Sequence, residues 1–337
     1  MGIFSSKKIK IIVWPLLLIL VGGFAGYVIR GLLDARGNGI EHLEKREGSF
    51  DFINPLLECD TAEDMLKNRA LQPFKKTVEE FLYKRMDKSW ADSVTVYFRE
   101  LNDGLWFSIG ETEHFTPASL RKVPMMIALL KQAEQAPDLL EKKILFSGKR
   151  DYTAAQNIRP SSALQPGQSY SIGDLITRMI VYSDNNAFTL LAGIVDEGEL
   201  DKAYLTLNVR PPGKEQGQED FQSVFTYASF FRVLYNATYL SREMSDKALE
   251  VLSKIDFQSG LVKGLPPSVA VAHKFGEYSD VVTQNKQLHD CGIVYYPKHP
   301  YLLCIMSKGR SFEYLDDTIA AISQIVYEQV DMQHRVH

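Results

Sequence analysis

Apolar positions follow three rhythms along the chain, and their order predicts its architecture. The first is an unbroken run of about nineteen residues, Ile11 to Ile29. That length just spans a bilayer core. Lys7, Lys8 and Lys10 before it outweigh Arg30 and Arg36 after it, the latter offset by Asp34. The run is therefore expected to be a transmembrane helix with a cytoplasmic amino terminus and the rest of the chain outside. Small residues in Gly22-Gly-Phe-Ala-Gly26 would also suit a signal peptidase. Apolar character continues past them to Ile29, which favours an uncleaved anchor. Residues 1–32 thus read as a cytoplasmic stub and anchor, 33–71 as a polar tether, and 72–332 as a globular domain. Within the tether, Phe50 to Glu58 is too apolar for a free linker and is expected to dock on the domain as an extended strap.

The second and third rhythms, helical and alternating, share the remaining chain. Phe74, Val78, Phe81 and Leu82 recur at helical spacing. Ser93 to Leu101 alternates as a half-buried strand does, Asn102-Asp-Gly104 supplies a turn, and Leu105 to Ile109 returns as a hairpin partner. Phe115 to Leu130 reads as the start of a buried helix, and from Val123 onward its apolar character runs all round, the mark of a helix enclosed by protein. Pro124 lies near enough to its start to be tolerated. From there to about Gly264 the apolar segments keep helical period: Ile172 to Tyr182, Ala187 to Val195, Leu200 to Leu207, Phe225 to Tyr239 and Ser245 to Ile255. Strand signals resume at Ser268 to Phe275, Leu288 to Tyr296 and Tyr301 to Lys308, and an amphipathic helix over Phe312 to Gln329 closes the chain. Two strands, a helical insertion, three strands and a helix predict an α+β fold. Its five-stranded antiparallel sheet is flanked by helices, and an all-helical lobe is inserted at about residues 118–264. A cleft between lobes is a favoured place for a site.

Composition narrows the function by exclusion. The 337 residues are 45% hydrophobic and 24% charged, with a net charge of −4. No run of basic residues could track a phosphate backbone, so nucleic acid is not an expected partner. The three cysteines, Cys59, Cys291 and Cys304, rule out a disulfide framework and leave one bridge open. The seven histidines form no H-x-x-x-H or H-E-x-x-H arrangement, so the sequence supports no metal site and no cofactor.

Candidate chemistry begins with Ser119 and Lys122, three residues apart on one helix face. A charged lysine heading a buried helix requires a reason. A lone S-x-x-K is weak, since Ser5 to Lys8 repeats it in the same chain. Two further motifs follow in order: Ser183-Asp-Asn185 at a join of two helices, and Lys274-Phe-Gly276 at the end of the first strand after the insertion. Over about residues 72 to 330 the chain resembles the serine β-lactamase and penicillin-binding-protein superfamily, and more closely its class A branch.

That resemblance implies roles. Ser119 would be the nucleophile that attacks an amide or lactam carbonyl and becomes acylated. Lys122 would be its base, which requires a neutral amine. Burial and the charge of Lys274 both act in that direction. Ser183, held by Lys274, would relay the proton to the leaving nitrogen. Asn185 would contact the substrate backbone, and the backbone N–H groups of Ser119 and Glu277 would hold the oxyanion. Phe275, Gly276 and Glu277 would border the substrate.

Three departures from the class A pattern bear on substrate and turnover. The loop from Asn208 to Asp220 lacks the family's E-x-x-L-N, whose glutamate drives water onto the acyl-enzyme; Glu215 and Glu219 are the candidate stand-ins. Phe275 replaces a hydroxyl residue that would meet a substrate carboxylate. Glu277 places a negative charge near that carboxylate's position. The expectation is a membrane-anchored serine hydrolase or acyltransferase acting on peptidoglycan-type peptides or a related amide, with slow release of β-lactams. A true class A β-lactamase and a binding or scaffold protein on a degenerate enzyme fold are the rival readings.

Overall fold

The computed structural model describes residues 45–46, 50–58, 71–87, 90–102, 104–207, 209, 211 and 222–335, all within the compact unit Glu44–His337. The apolar run at 11–29, Cys59, Glu215 and Glu219 lie outside the described residues. Among the described helices none is long and apolar enough to cross a membrane.

Five strands form one antiparallel sheet: β3 (Ser93–Glu100), β4 (Trp106–Ile109), β7 (Val271–Ser279), β8 (Lys286–Val294) and β9 (Tyr301–Gly309), in the order β4-β3-β9-β8-β7. β3 pairs with β9 from Ser93↔Lys308 to Glu100↔Tyr301, so the first hairpin and the last three strands close into a single sheet. A short pair, β1 (Lys45–Arg46) and β2 (Leu56–Glu58), lies earlier in the chain.

Alternation along the strands feeds two cores. Val94, Val96 and Phe98 point to one face with Leu303 and Ile305. There they meet Phe74, Val78 and Leu82 of α1 (Gln72–Asp87) and Leu315, Ile319, Ile322 and Val326 of α8 (Phe312–His334). On the other face Tyr97, Leu302, Cys304 and Met306 join the core of the inserted lobe. β9, covered on both faces, is therefore apolar almost throughout. Cys291 and Cys304 are register partners on β8 and β9 and are joined as a disulfide.

The lobe centres on α2 (Lys122–Gln135), whose residues from Lys122 to Leu130 are all buried. Around it stand α3 (Ile172–Val181), α4 (Asn185–Ala192), α5 (Glu197–Leu205), α6 (Val224–Tyr235) and α7 (Arg242–Leu252). Side-chain caps fix several of their starts: Ser171 accepts from Asp174 N–H, Asp184 from Asn186 and Ala187, and Ser223 from Thr226.

The lobe is not all-helical. β5 (Lys143–Leu145) and β6 (Ser169–Ser171) form an antiparallel pair inside it, and three residues are too few to display alternation in a sequence. The first strand after the insertion also runs beyond Phe275 to Ser279, which puts Lys274-Phe-Gly276 in mid-strand.

The segment before β2 lies against the lobe and the β8–β9 end of the sheet. Ile53 is buried, Asn54 N–H donates to Tyr235 O at 2.9 Å, and Phe52 N–H donates to Asp246 Oδ1 at 3.2 Å. Tyr295 hydroxyl donates to Phe52 O at 3.0 Å, and the two rings meet edge to face.

Candidate active site

Ser119 sits on a 3-10 turn, Ala118–Arg121, that leads directly into α2 at Lys122. The tighter winding eclipses residues three apart more closely than an α-turn does, and Lys122 Nζ lies 3.1 Å from Ser119 Oγ. Both sides of the molecule hold this turn. Tyr227 hydroxyl, from α6, donates to Leu120 O at 2.9 Å. From β8, Gln287 Oε1 accepts from Thr116 N–H at 3.0 Å, and His289 Nε2 stands 3.0 Å from Thr116 O. Ala118, at φ 47°, adopts left-handed backbone that residues with a Cβ rarely take; Ser183 does so too, at φ 53°. Each costs about 1–3 kcal/mol, which the packing around it must outweigh.

Gly276 sets the spacing between β7 and the turn. A Cβ there would meet Pro117 O at 2.9 Å and Leu120 Cγ at 3.1 Å. The missing side chain lets the edge strand close against the turn that carries Ser119.

Lys122 is buried, and its amine touches four oxygens: Ser183 O at 2.6 Å, Asn185 Oδ1 at 2.8 Å, and the hydroxyls of Ser119 and Ser183, both at 3.1 Å. Two of these are carbonyl oxygens, which can only accept. A neutral amine gives them its two N–H bonds and turns its lone pair toward a hydroxyl proton. Burial drives the Lys122 pKa well below its ordinary value, the charge of Lys274 adds to this, and Asp184 opposes it. Lys274, also buried, lies 3.0 Å from Ser183 Oγ and 3.1 Å from Phe275 O. Burial lowers its pKa to about 7, with Asp290 acting the other way. Ser183 Oγ therefore stands between two amines, each in hydrogen-bonding range. Burial raises the neighbouring Asp184 carboxyl, while its helix-capping bonds pull the other way.

A cleft of about 620 Å³ opens over this cluster. Ser119, Lys122, Asn185 and Glu277 line it; Ser183 and Lys274 are fully buried beneath. Phe275 and Gly276 do not line it. Phe275 turns inward and stacks on Phe257, ring centroids 4.0 Å apart, while the Lys274 amine sits 4.0 Å from its ring centre. A residue expected to border substrate instead packs against the lysine from the protein side.

Glu277 does face the cleft, with its carboxylate engaged. Its Oε1 accepts from Asn157 N–H at 2.8 Å and Ile158 N–H at 3.3 Å, and its Oε2 accepts from Asn157 Nδ2 at 2.5 Å. The segment 151–158 thereby bridges the lobe and the sheet. It is also bound to the second motif: Gln156 Nε2 donates to Ser183 O at 3.1 Å, Asn185 N–H donates to Gln156 Oε1 at 3.3 Å, and Tyr152 N–H donates to Asn186 Oδ1 at 2.7 Å. Arg121, from the 3-10 turn, and Phe188, from α4, also line the cleft wall, whereas Gln156 and Asn157 are site residues that no periodicity or motif singles out. Their irregular loop carries no pattern to read.

A five-stranded sheet and helical lobe with a serine, two depressed lysines and a second serine at their seam define the class: a serine-hydrolase fold of the β-lactamase and penicillin-binding-protein type. The profile described as the β-lactamase enzyme family matches residues 73–330, and the chain belongs to that family. Among solved structures, a class A β-lactamase representative from Bacteroides cellulosilyticus aligns with a TM-score of 0.66 at 19% identity, covering 77% of this chain and 98% of that one. A β-lactamase from Chitinophaga pinensis gives 0.63 at 18% identity, over 75% and 99%. A mutant of PBP-A, in acyl-enzyme complex with penicillin G, gives 0.59 at 20% identity, over 71% and 90%. No curated protein sequence matches the chain.

Proposed function

We propose that the protein is a membrane-anchored, extracytoplasmic serine acyl-transfer enzyme that becomes acylated on Ser119 by an amide or β-lactam and releases the acyl group slowly. The carrying observation is the Lys122 amine, buried, depressed in pKa and 3.1 Å from Ser119 Oγ. As that oxygen attacks a carbonyl carbon, its proton passes to the Lys122 lone pair, and the backbone N–H groups of Ser119 and Glu277 receive the oxyanion. Collapse of the tetrahedral centre breaks the C–N bond. Ser183, hydrogen-bonded to both lysines, donates to the leaving nitrogen and is reprotonated from Lys122.

The lack of an E-x-x-L-N in the loop from Asn208 to Asp220 supports slow release. Among the described residues of the cleft the one carboxylate is Glu277, and Asn157 and Ile158 occupy it. Its charge also disfavours substrates with a carboxylate near it: at about 4 Å the repulsion is roughly 1–4 kcal/mol depending on effective dielectric. A neutral or cationic amide, or a peptide posed differently from penicillin, suits the site better. The penicillin G acyl-enzyme of the PBP-A mutant supports β-lactams as probes. The apolar run at 11–29, with lysines before it, supports the anchor and leaves residues 33–71 as tether and 72–332 as the catalytic domain.

The test is covalent labelling of the full chain by a fluorescent penicillin, with mass-spectrometric location of the adduct. Wild type is expected to carry it on Ser119 for minutes or longer and Ser119→Ala to carry none. Equal labelling of the two would refute the acyl-enzyme.

A further inference from the structure

Three residues far apart in sequence meet at the end of the sheet opposite the cleft: Glu100 closing β3, His299 in the β8–β9 turn and His334 in the last turn of α8. Glu100 pairs with Tyr301, Tyr301 with Val294 and Val294 with Val271. That row lies six residues along β7 from Glu277, or roughly 20 Å at a strand's rise. The cluster is thus a place of its own, outside the cleft.

Its geometry is that of donors converging on one point. Glu100 Oε1 stands 3.0 Å from His334 Nε2 and 3.5 Å from His299 Nδ1, and all three donor atoms lie within 4.8 Å of one another. The imidazoles are stacked, centroids 3.5 Å apart and 16° from parallel, which turns both toward the same carboxylate. His299 Nδ1 is buried and makes no hydrogen bond. A zinc ion binds imidazole nitrogen at about 2.0–2.1 Å and carboxylate oxygen at about 2.0–2.2 Å, so neighbouring donors of a tetrahedral site stand about 3.4 Å apart. The two observed edges bracket that spacing.

We propose that Glu100, His299 and His334 bind a divalent transition-metal ion, zinc by their chemistry, and that the ion fastens the carboxy-terminal helix to the sheet. Two imidazoles and one carboxylate suit zinc, whereas calcium and magnesium call for oxygen donors throughout. Three protein donors leave a fourth position for water. The ion's three attachment points join β3, the β8–β9 turn and α8, elements that also meet through apolar contacts in one core and through the Tyr296 hydroxyl, which donates to Asp331 Oδ1 at 3.0 Å. The histidine spacing in the sequence hides the site, because the two imidazoles come from positions 299 and 334 and the carboxylate from 100.

The test uses the full chain, stripped with a chelator and titrated with zinc alone. His337 is changed to alanine throughout, because it follows His334 by three residues. That background is expected to take up one zinc per chain, to rise in Tm by about 5–10 °C at metal a hundredfold above its Kd, and to give visible absorption bands of a four-coordinate site with cobalt(II). The double variant His299→Gln/His334→Gln is expected to lose all three responses while keeping its circular dichroism and its penicillin labelling. Should that variant misfold, His299→Gln alone, on the turn, decides by the same readouts. No zinc uptake at about 10 μM free metal, or uptake undiminished in the variants, overturns the proposal.

Discussion

Ser183 Oγ lies 3.1 Å from one amine and 3.0 Å from another, and burial discourages charge on both. Such depression has a cost visible in stability. Lys274 falls from 10.5 to about 7 on folding. Between those values the unfolded chain carries a proton that the folded chain lacks, so stability rises with pH across the window, and the whole penalty is felt below it. Lys274→Met, which keeps bulk without charge, is expected to flatten this rise. Chemical denaturation between pH 7 and about 9.5 should show wild type gaining at most about 3 kcal/mol more than the variant. Lys122 contributes in the same direction, so some slope remains. Equal slopes would mean that Lys274 keeps its proton in the folded protein. At this scale much of the site was legible. Ser119, Lys122, Ser183, Asn185 and Lys274 stand in motifs, and the structure gathers all five. Phe275 was misplaced because neighbours in a strand point to opposite faces, and its ring belongs to the Phe257 side.

Elements bring these residues together through close approach. Gly276 is the contact between β7 and the 3-10 turn, and Gly276→Ala adds a methyl where only 2.9 Å separates it from Pro117 O. Overpacking of this kind costs about 1–3 kcal/mol, and a shift of Ser119 by about 1 Å slows a reaction about a hundredfold. Stopped-flow labelling with a fluorescent penicillin is expected to show that loss beside a modest fall in Tm. A fall in Tm with an unchanged labelling rate would show that the spacing serves packing alone. The strands and helices of the sheet and lobe follow apolar period closely enough to be read in the chain. β7 was read short because Glu277 to Ser279 are polar, edge-strand residues that face the cleft. The bridge from 151 to 158 had no period at all, since its order comes from hydrogen bonds to Glu277 and to Ser183 through Asn186.

Across the whole molecule, distant segments complete one another. Ile53 is buried against a lobe built from residues much later in the chain, and burying such a side chain contributes about 1.5–3 kcal/mol. A protein lacking residues 1–71 is therefore expected to melt roughly 4–10 °C below one that keeps residues 50–58, as calorimetry would record. Identical melting would leave the segment no part in stability. The Glu100, His299 and His334 cluster belongs to this scale too; no local pattern could announce it, because only the closed sheet brings the three together. That closure also has a consequence in time. The inner edge of β3 waits for β9, about 200 residues later in the chain. At a synthesis rate of about 5–20 residues per second, the first hairpin spends roughly 10–40 s with a row of backbone groups unpaired. During that interval the nascent chain has an open, apolar edge that a neighbouring chain could join, so yield during synthesis should depend on how crowded the emerging chains are.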